Sequence, residues 1–144
     1  MWPGDGKNIA FTTQYDNFPR AVQVPVKRSG RAAWFLVAGT TNPFQTKIAN
    51  AVLRLRYADG VEETLDLVPP QNYWMLSDKE WYYRKDVDAF CLPKVDPPMV
   101  QLGSECRAMV LNRVLRPGII LEQVELETLS QEVVVGLMGL TIMN

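Results

Sequence analysis

Two segments of alternating apolar and polar residues meet at Tyr57-Ala58-Asp59-Gly60. Leu53, Leu55 and Tyr57 alternate with Arg54 and Arg56 before the turn, and Leu65 and Leu67 alternate with Thr64 and Asp66 after it. In an extended chain successive side chains point to opposite faces, and Asp-Gly is a favoured hairpin turn. The pattern therefore predicts a β-hairpin with one face in the core and the other in water. Upstream, Ala32 to Ala38 is apolar on both faces, ends at Gly39 and is too short for a helix. It predicts a strand buried in the middle of a sandwich, with Trp34 in the core alongside Leu53 and Val134. Ala21 to Val26 also reads as extended. Pro25 lacks an amide proton and places that segment at a sheet edge or a bulge, with Lys27 to Gly30 as the turn that follows.

The C-terminal third repeats this grammar. Arg107 to Leu111, Ile119 to Glu127 and Glu132 to Ile142 are three strand candidates, divided by Arg116-Pro117-Gly118 and by Ser130-Gln131. The middle one alternates Val124 and Leu126 against Gln123, Glu125 and Glu127. The last is apolar on both faces, and Gly136 and Gly139 predict a bulge or close packing. Val68 to Val100 differs: it is rich in proline and aromatics and has no sustained period. So long an irregular stretch in a compact domain is usually functional or an interface. Within it Ser77 and Glu80 have capping-box spacing for one helical turn. Seven or eight strands with turn punctuation predict an all-β fold, a two-sheet antiparallel sandwich of the jelly-roll type. Residues 1–19 read as a linker or N-terminal extension and 20–144 as the module.

The chain of 144 residues fits one domain. Its 15 basic and 16 acidic residues are interleaved, without the basic face on which nucleic-acid affinity depends. No apolar run approaches the roughly 18 residues of a membrane span, and the first twenty residues hold no signal-peptide core. Neither nucleic acid nor membrane insertion is expected. Histidine is absent altogether, which excludes Ser-His-Asp and Cys-His nucleophiles and histidine-dependent zinc sites. Asp78, Glu80, Asp86 and Asp88 offer carboxylates, but calcium needs six to eight oxygens and no twelve-residue calcium loop is present. They read as solvated acids, and a glycosidase pair drawn from them, in a stand-alone glycoside hydrolase, is the third reading after an accessory module and a carbohydrate-binding module. No enzyme, metal or cofactor is predicted. Cys91 and Cys106 admit two readings: a disulfide, worth about 3 kcal/mol in the chain-entropy model, or two buried reduced thiols acting as small hydrophobes.

The densest candidate chemistry is Tyr73, Trp74, Trp81, Tyr82 and Tyr83, interleaved with Asn72 and Arg84. Aromatic faces cover sugar C–H groups while amides and cations address hydroxyls, so Asn72, Tyr73, Trp74, Trp81, Tyr82 and Arg84 form a candidate ligand-binding set. The same rings also suit a small satellite core beneath a long loop. Spacing alone leaves both open.

The set formed by Ala38 to Gln45, Tyr57 to Gly60, Pro70 to Trp74 and Val135 to Thr141 resembles the C-terminal β-sandwich region of large uncharacterised glycoside-hydrolase-like proteins from Bacteroides relatives. The likeness spans roughly residues 20 to 142. It implies a galactose-binding-domain-like jelly roll attached to an α-helical toroid catalytic region and carried to the periplasm, cell surface or exterior by the parent's export signal. The implied partner is that catalytic domain, or a polysaccharide or oligosaccharide. Tyr73 stands where the family pattern has a second tryptophan.

Overall fold

In a computed structural model of the chain, residues 9–15, 17–41, 45–77 and 98–144 are described. They contain nine strands: β1 (Ala10–Thr13), β2 (Ala21–Arg28), β3 (Ala32–Gly39), β4 (Ala51–Tyr57), β5 (Glu62–Leu67), β6 (Met99–Leu102), β7 (Cys106–Val114), β8 (Leu121–Thr128) and β9 (Val134–Met143). One sheet has the order β1-β9-β3-β7-β6 and the other β2-β8-β4-β5. Every pairing is antiparallel. The chain is all-β, and its two sheets face each other as a β-sandwich.

The predicted hairpin is β4–β5, with Leu53 opposite Leu65 and Ala51 opposite Leu67. Gly60 lies at φ 83°, a conformation that glycine adopts without steric cost. The Asp59 carboxylate accepts the Val61 N–H, and the Gly60 N–H donates to the Tyr57 carbonyl. As Pro25 requires, β2 is an edge strand, and its register shifts between Pro25 and Arg28. Between the sheets Phe35, Val37, Leu111 and Val135 meet Leu53, Leu55, Val124 and Leu126, all of them buried. Burying each such side chain contributes about 1.5–3 kcal/mol.

Three expectations are corrected. Trp34 is not core: it is 38% exposed, on the outer face of the five-stranded sheet. Since both faces of β3 are apolar, the alternation carried no sign of which one turns inward, and Ala33, Phe35 and Val37 take that role. Strand β1 lies inside the stretch read as linker, yet Ala10–Thr13 pairs with Leu137–Val134. Strand β6 emerges from the stretch read as irregular. Both have four residues, too few to display a period.

The glycines of β9 behave as predicted. Register against β3 shifts between Leu36 and Val37, opposite Leu137 to Gly139. A Cβ on Gly136 would lie 3.0 Å from an Ile9 methyl carbon.

Candidate functional site

Segment 68–77 leaves β5 at the edge of the four-stranded sheet and crosses to the end of the five-stranded one. Its turn is held by Asn72, whose Oδ1 accepts the Val68 N–H at 2.8 Å while its Nδ2 donates to the Asp66 carbonyl at 2.8 Å. The Leu76 N–H then donates to the Gly39 carbonyl, and the Leu76 carbonyl accepts the Arg107 N–H. This fastens the segment between β3 and β7.

The candidate ligand set divides accordingly. Tyr73 is a core residue instead of a ligand contact: it is 0% exposed, and its hydroxyl donates to the Thr40 carbonyl at 2.7 Å. Gly39 permits this approach, because a Cβ there would collide with the Tyr73 hydroxyl and the Val134 carbonyl oxygen. Asn72 spends its amide on the turn, and Trp74 is half-buried against the core. Tyr73 and Trp74 thus join the main core between the sheets, and no separate satellite core is formed by them. Trp81, Tyr82 and Arg84 lie outside the described residues, as do Tyr83, the four loop carboxylates and most of the capping box.

Sequence reasoning missed the most distinctive surface, the outer face of the five-stranded sheet. Strand registers place its side chains in rows: Phe11, Gly136 and Ala38; then Gly139, Leu36 and Val110; then Thr141, Trp34 and Asn112; then Met143, Ala32 and Val114. Only Thr141 and Asn112 in these rows are polar, and none is charged. Phe11, Trp34, Val114 and Met143 are exposed, and so are Ile9 and Val100 beside them. Between Phe11, Ala38, Leu76 and Met138 the face sinks into a groove of about 500 Å³. A signal for it existed: strands apolar on both faces need something to cover the second face.

The four-stranded sheet presents the opposite surface. Its rows read Gln23, Glu125, Arg54 and Thr64, then Pro25, Gln123, Arg56 and Glu62. Arg54 Nη1 lies 3.2 Å from Glu125 and 2.5 Å from Glu127, and Arg56 Nε lies 2.7 Å from Glu62. Burial opposes the Arg54 charge, but the hydrogen bond to Glu127 and the charges of Glu127, Glu125 and Glu62 outweigh it and raise its pKa above the usual value. Each carboxylate in this lattice is engaged by a guanidinium. A general acid must be free to exchange its proton with a substrate, so the lattice has the character of a structural charge network.

Among the described residues no cluster of three or more metal-ligating side chains occurs, and no helix is long and apolar enough to cross a membrane. Cys106 is a half-buried free thiol, and Cys91 lies outside the described residues. Comparison of the chain with protein-family models, with curated proteins and with solved structures finds no match.

Proposed function

We propose that this chain is a non-catalytic jelly-roll module of a larger exported carbohydrate-active protein, and that it packs against the catalytic domain of that protein. The observation that carries the packing role is the uncharged outer face of the five-stranded sheet, with Phe11, Trp34, Val100 and Val114 exposed. A large apolar patch on a lone module marks a site of interaction. The jelly-roll reading is supported by strand order. Without the short edge strand β6, the sheets read β1-β9-β3-β7 and β2-β8-β4-β5. In that arrangement β1, β2, β3 and β4 alternate between sheets, and β7, β8 and β9 return between them, as two Greek keys require. The carbohydrate-active setting and the export rest on the resemblance of Ala38 to Gln45, Pro70 to Trp74 and Val135 to Thr141.

A second reading, carbohydrate binding, draws on one row of the same face: the exposed Trp34 ring stands between Asn112 and Thr141. A flat ring flanked by an amide and a hydroxyl is suited to a sugar. Calorimetric titration with a panel of polysaccharides separates the readings, joined to thermal melting of the parent protein. Packing predicts no heat of binding. It also predicts that Trp34→Glu lowers the melting temperature of the parent's catalytic domain while barely changing that of the isolated module. Saturable binding abolished by Trp34→Ala, with the parent's melting unaffected, would defeat packing in favour of the glycan.

A further inference from the structure

The end of the sandwich that carries the Asp59-Gly60 turn also gathers the turn between β2 and β3 and the loop between β7 and β8. These segments are tied to one another and to the end of β9. The Arg31 N–H donates to the Met143 carbonyl at 2.7 Å, and the Arg31 carbonyl accepts the Leu115 N–H at 2.9 Å. Gly30 packs so closely that a Cβ there would collide with Ile142 and with the Met143 carbonyl oxygen. In the loop, the Ile119 N–H returns to the Arg116 carbonyl, with Gly118 at φ 72°. Between these fixed walls lies a pocket of about 430 Å³ lined by Ser29, Arg31, Val114, Leu115 and Pro117, together with Asn144.

Arg31 supplies the one charged side chain of this lining, and it is unneutralised. Arg20, Arg54, Arg56, Arg113 and Arg116 each hold a carboxylate. Lys27, Arg28 and Arg31 crowd one turn, and among the described residues they form no ion pair. The acids of this end are engaged elsewhere: Asp59 by Arg116, Glu63 by Arg113 and Glu62 by Arg56. Glu122, beside the Leu121 that faces Arg28, forms no ion pair among the described residues either. Three free cations against one free acid leave a positive potential that favours an anion. An exposed arginine on a plain surface is satisfied by water. Beside a pre-formed apolar pocket it completes a different arrangement, apolar walls with one orienting polar group, which is that of small-molecule sites of about 300–1,000 Å³. The groove on the outer face lacks this feature, since none of its lining residues is charged.

We propose that this pocket binds a small carboxylic acid with an apolar body. Its carboxylate lies on the Arg31 guanidinium and the Ser29 hydroxyl, and its carbon chain lies against Val114, Leu115 and Pro117. A guanidinium presents parallel N–H donors that match the two oxygens of a carboxylate. Leu115 is 2% exposed and Val114 is 76% exposed, so one wall is anchored in the core while the other is open to an incoming ligand and gains by being covered. A bare inorganic anion leaves these walls in water. A neutral sugar needs a partner for each hydroxyl, and apart from Arg31 the side chains of the lining offer only Ser29 and Asn144.

The inference does not rest on the packing role, because Arg31 is not in the outer-face rows and the isolated chain suffices for the test. Calorimetric titration with hexanoate should show one saturable site. Acetate lacks the apolar body and hexan-1-ol lacks the charge, and each should bind far more weakly. Arg31→Gln should raise the hexanoate dissociation constant about tenfold or more, the worth of a charge-assisted hydrogen bond. Lys47→Gln, at the opposite end of the sandwich, should leave it unchanged. The Arg31 bonds to Met143 and Leu115 are made by the backbone, so the variant keeps them, and an unchanged melting temperature verifies the fold. Val114→Asp, at an exposed position, should weaken hexanoate by repulsion and serves as the second variant. The absence of saturable hexanoate binding below about 10 mM overturns the proposal. So does binding indifferent to both Arg31→Gln and Val114→Asp. Acetate binding as tightly as hexanoate overturns it in favour of a surface ion contact, and hexan-1-ol binding as tightly overturns it in favour of an apolar contact without Arg31.

Discussion

Replacing Tyr73 by phenylalanine removes one oxygen and decides whether this residue serves the core or a ligand. The hydroxyl donates to the Thr40 carbonyl at 2.7 Å, and the ring is fully enclosed. The net value of such a hydrogen bond is about 1 kcal/mol, and a buried carbonyl left without its partner adds about 1 kcal/mol more. The expected loss is therefore about 2 kcal/mol. An unfolding entropy of about 2.1 cal/mol/K per residue gives about 0.3 kcal/mol/K for a chain of this length, so the melting temperature should fall by about 7 °C. Tyr73→Ala also forfeits the buried ring and should cost about 4 kcal/mol, or about 13 °C. Urea titration with thermal melting measures both variants. A Tyr73→Phe chain within about 0.5 kcal/mol of the parent sequence, a margin typical of surface substitutions, would refute the assignment to the core. Loss of polysaccharide binding without loss of stability would return Tyr73 to the ligand set.

Thr12 and Thr128 share a buried hydroxyl–hydroxyl hydrogen bond of 2.7 Å; Thr12→Val should cost about 1–2 kcal/mol, and adding Thr128→Val should cost less than the two changes summed. Urea midpoints of the two single variants and the double variant check this cycle. Burial, and then the charge of Glu63, raise the Tyr57 pKa. Its contribution is full below the unfolded value of about 10 and is lost as pH rises through the higher folded value. Tyr57→Phe should therefore flatten the alkaline fall in stability measured by urea titration above pH 9, and parallel curves would contradict the shift. Gly136→Ala should destabilise by about 1 kcal/mol because its Cβ presses on Ile9, whereas the Cβ of Gly139→Ala meets Leu36 at an ordinary 3.5 Å and should change the melting temperature by less than about 2 °C.

The elements most legible in the sequence were those in which one face is wet. The alternation of Leu53, Arg54, Leu55 and Arg56, punctuated by Asp59-Gly60, located β4 and β5 because core and solvent select opposite residue types. Pro25 marked an edge by its missing donor. Legibility failed where that contrast disappears. Trp34 and Phe35 are both apolar, and only the surrounding sheet decides that Phe35 turns inward. In segment 70–77, aromatic character did not show that the Tyr73 hydroxyl would reach Thr40, since that contact depends on Gly39 and spans 33 positions. Ala10–Thr13 and Met99–Leu102 become strands through their neighbours β9 and β7, not through any period of their own.

The contrast between β8 and β9 ties these observations to the proposed role. Strand β8 is paired with β2 and β4 along its length, and β9 with β3 along most of its length and with β1 from Val134 to Leu137, so both are interior strands. Strand β8 places Glu125 and Glu127 on its outward face, and they are neutralised by Arg54 and Arg20. Strand β9 places Gly136, Gly139 and Thr141 there. A sheet that met only water would gain solubility from charges at these positions and lose no core packing, because outward side chains do not enter the sandwich. The absence of charge from this face is therefore not required by the fold, and on it rests the proposal that another domain packs there. In the proposed role a neighbouring domain would cover the rows from Phe11 to Trp34.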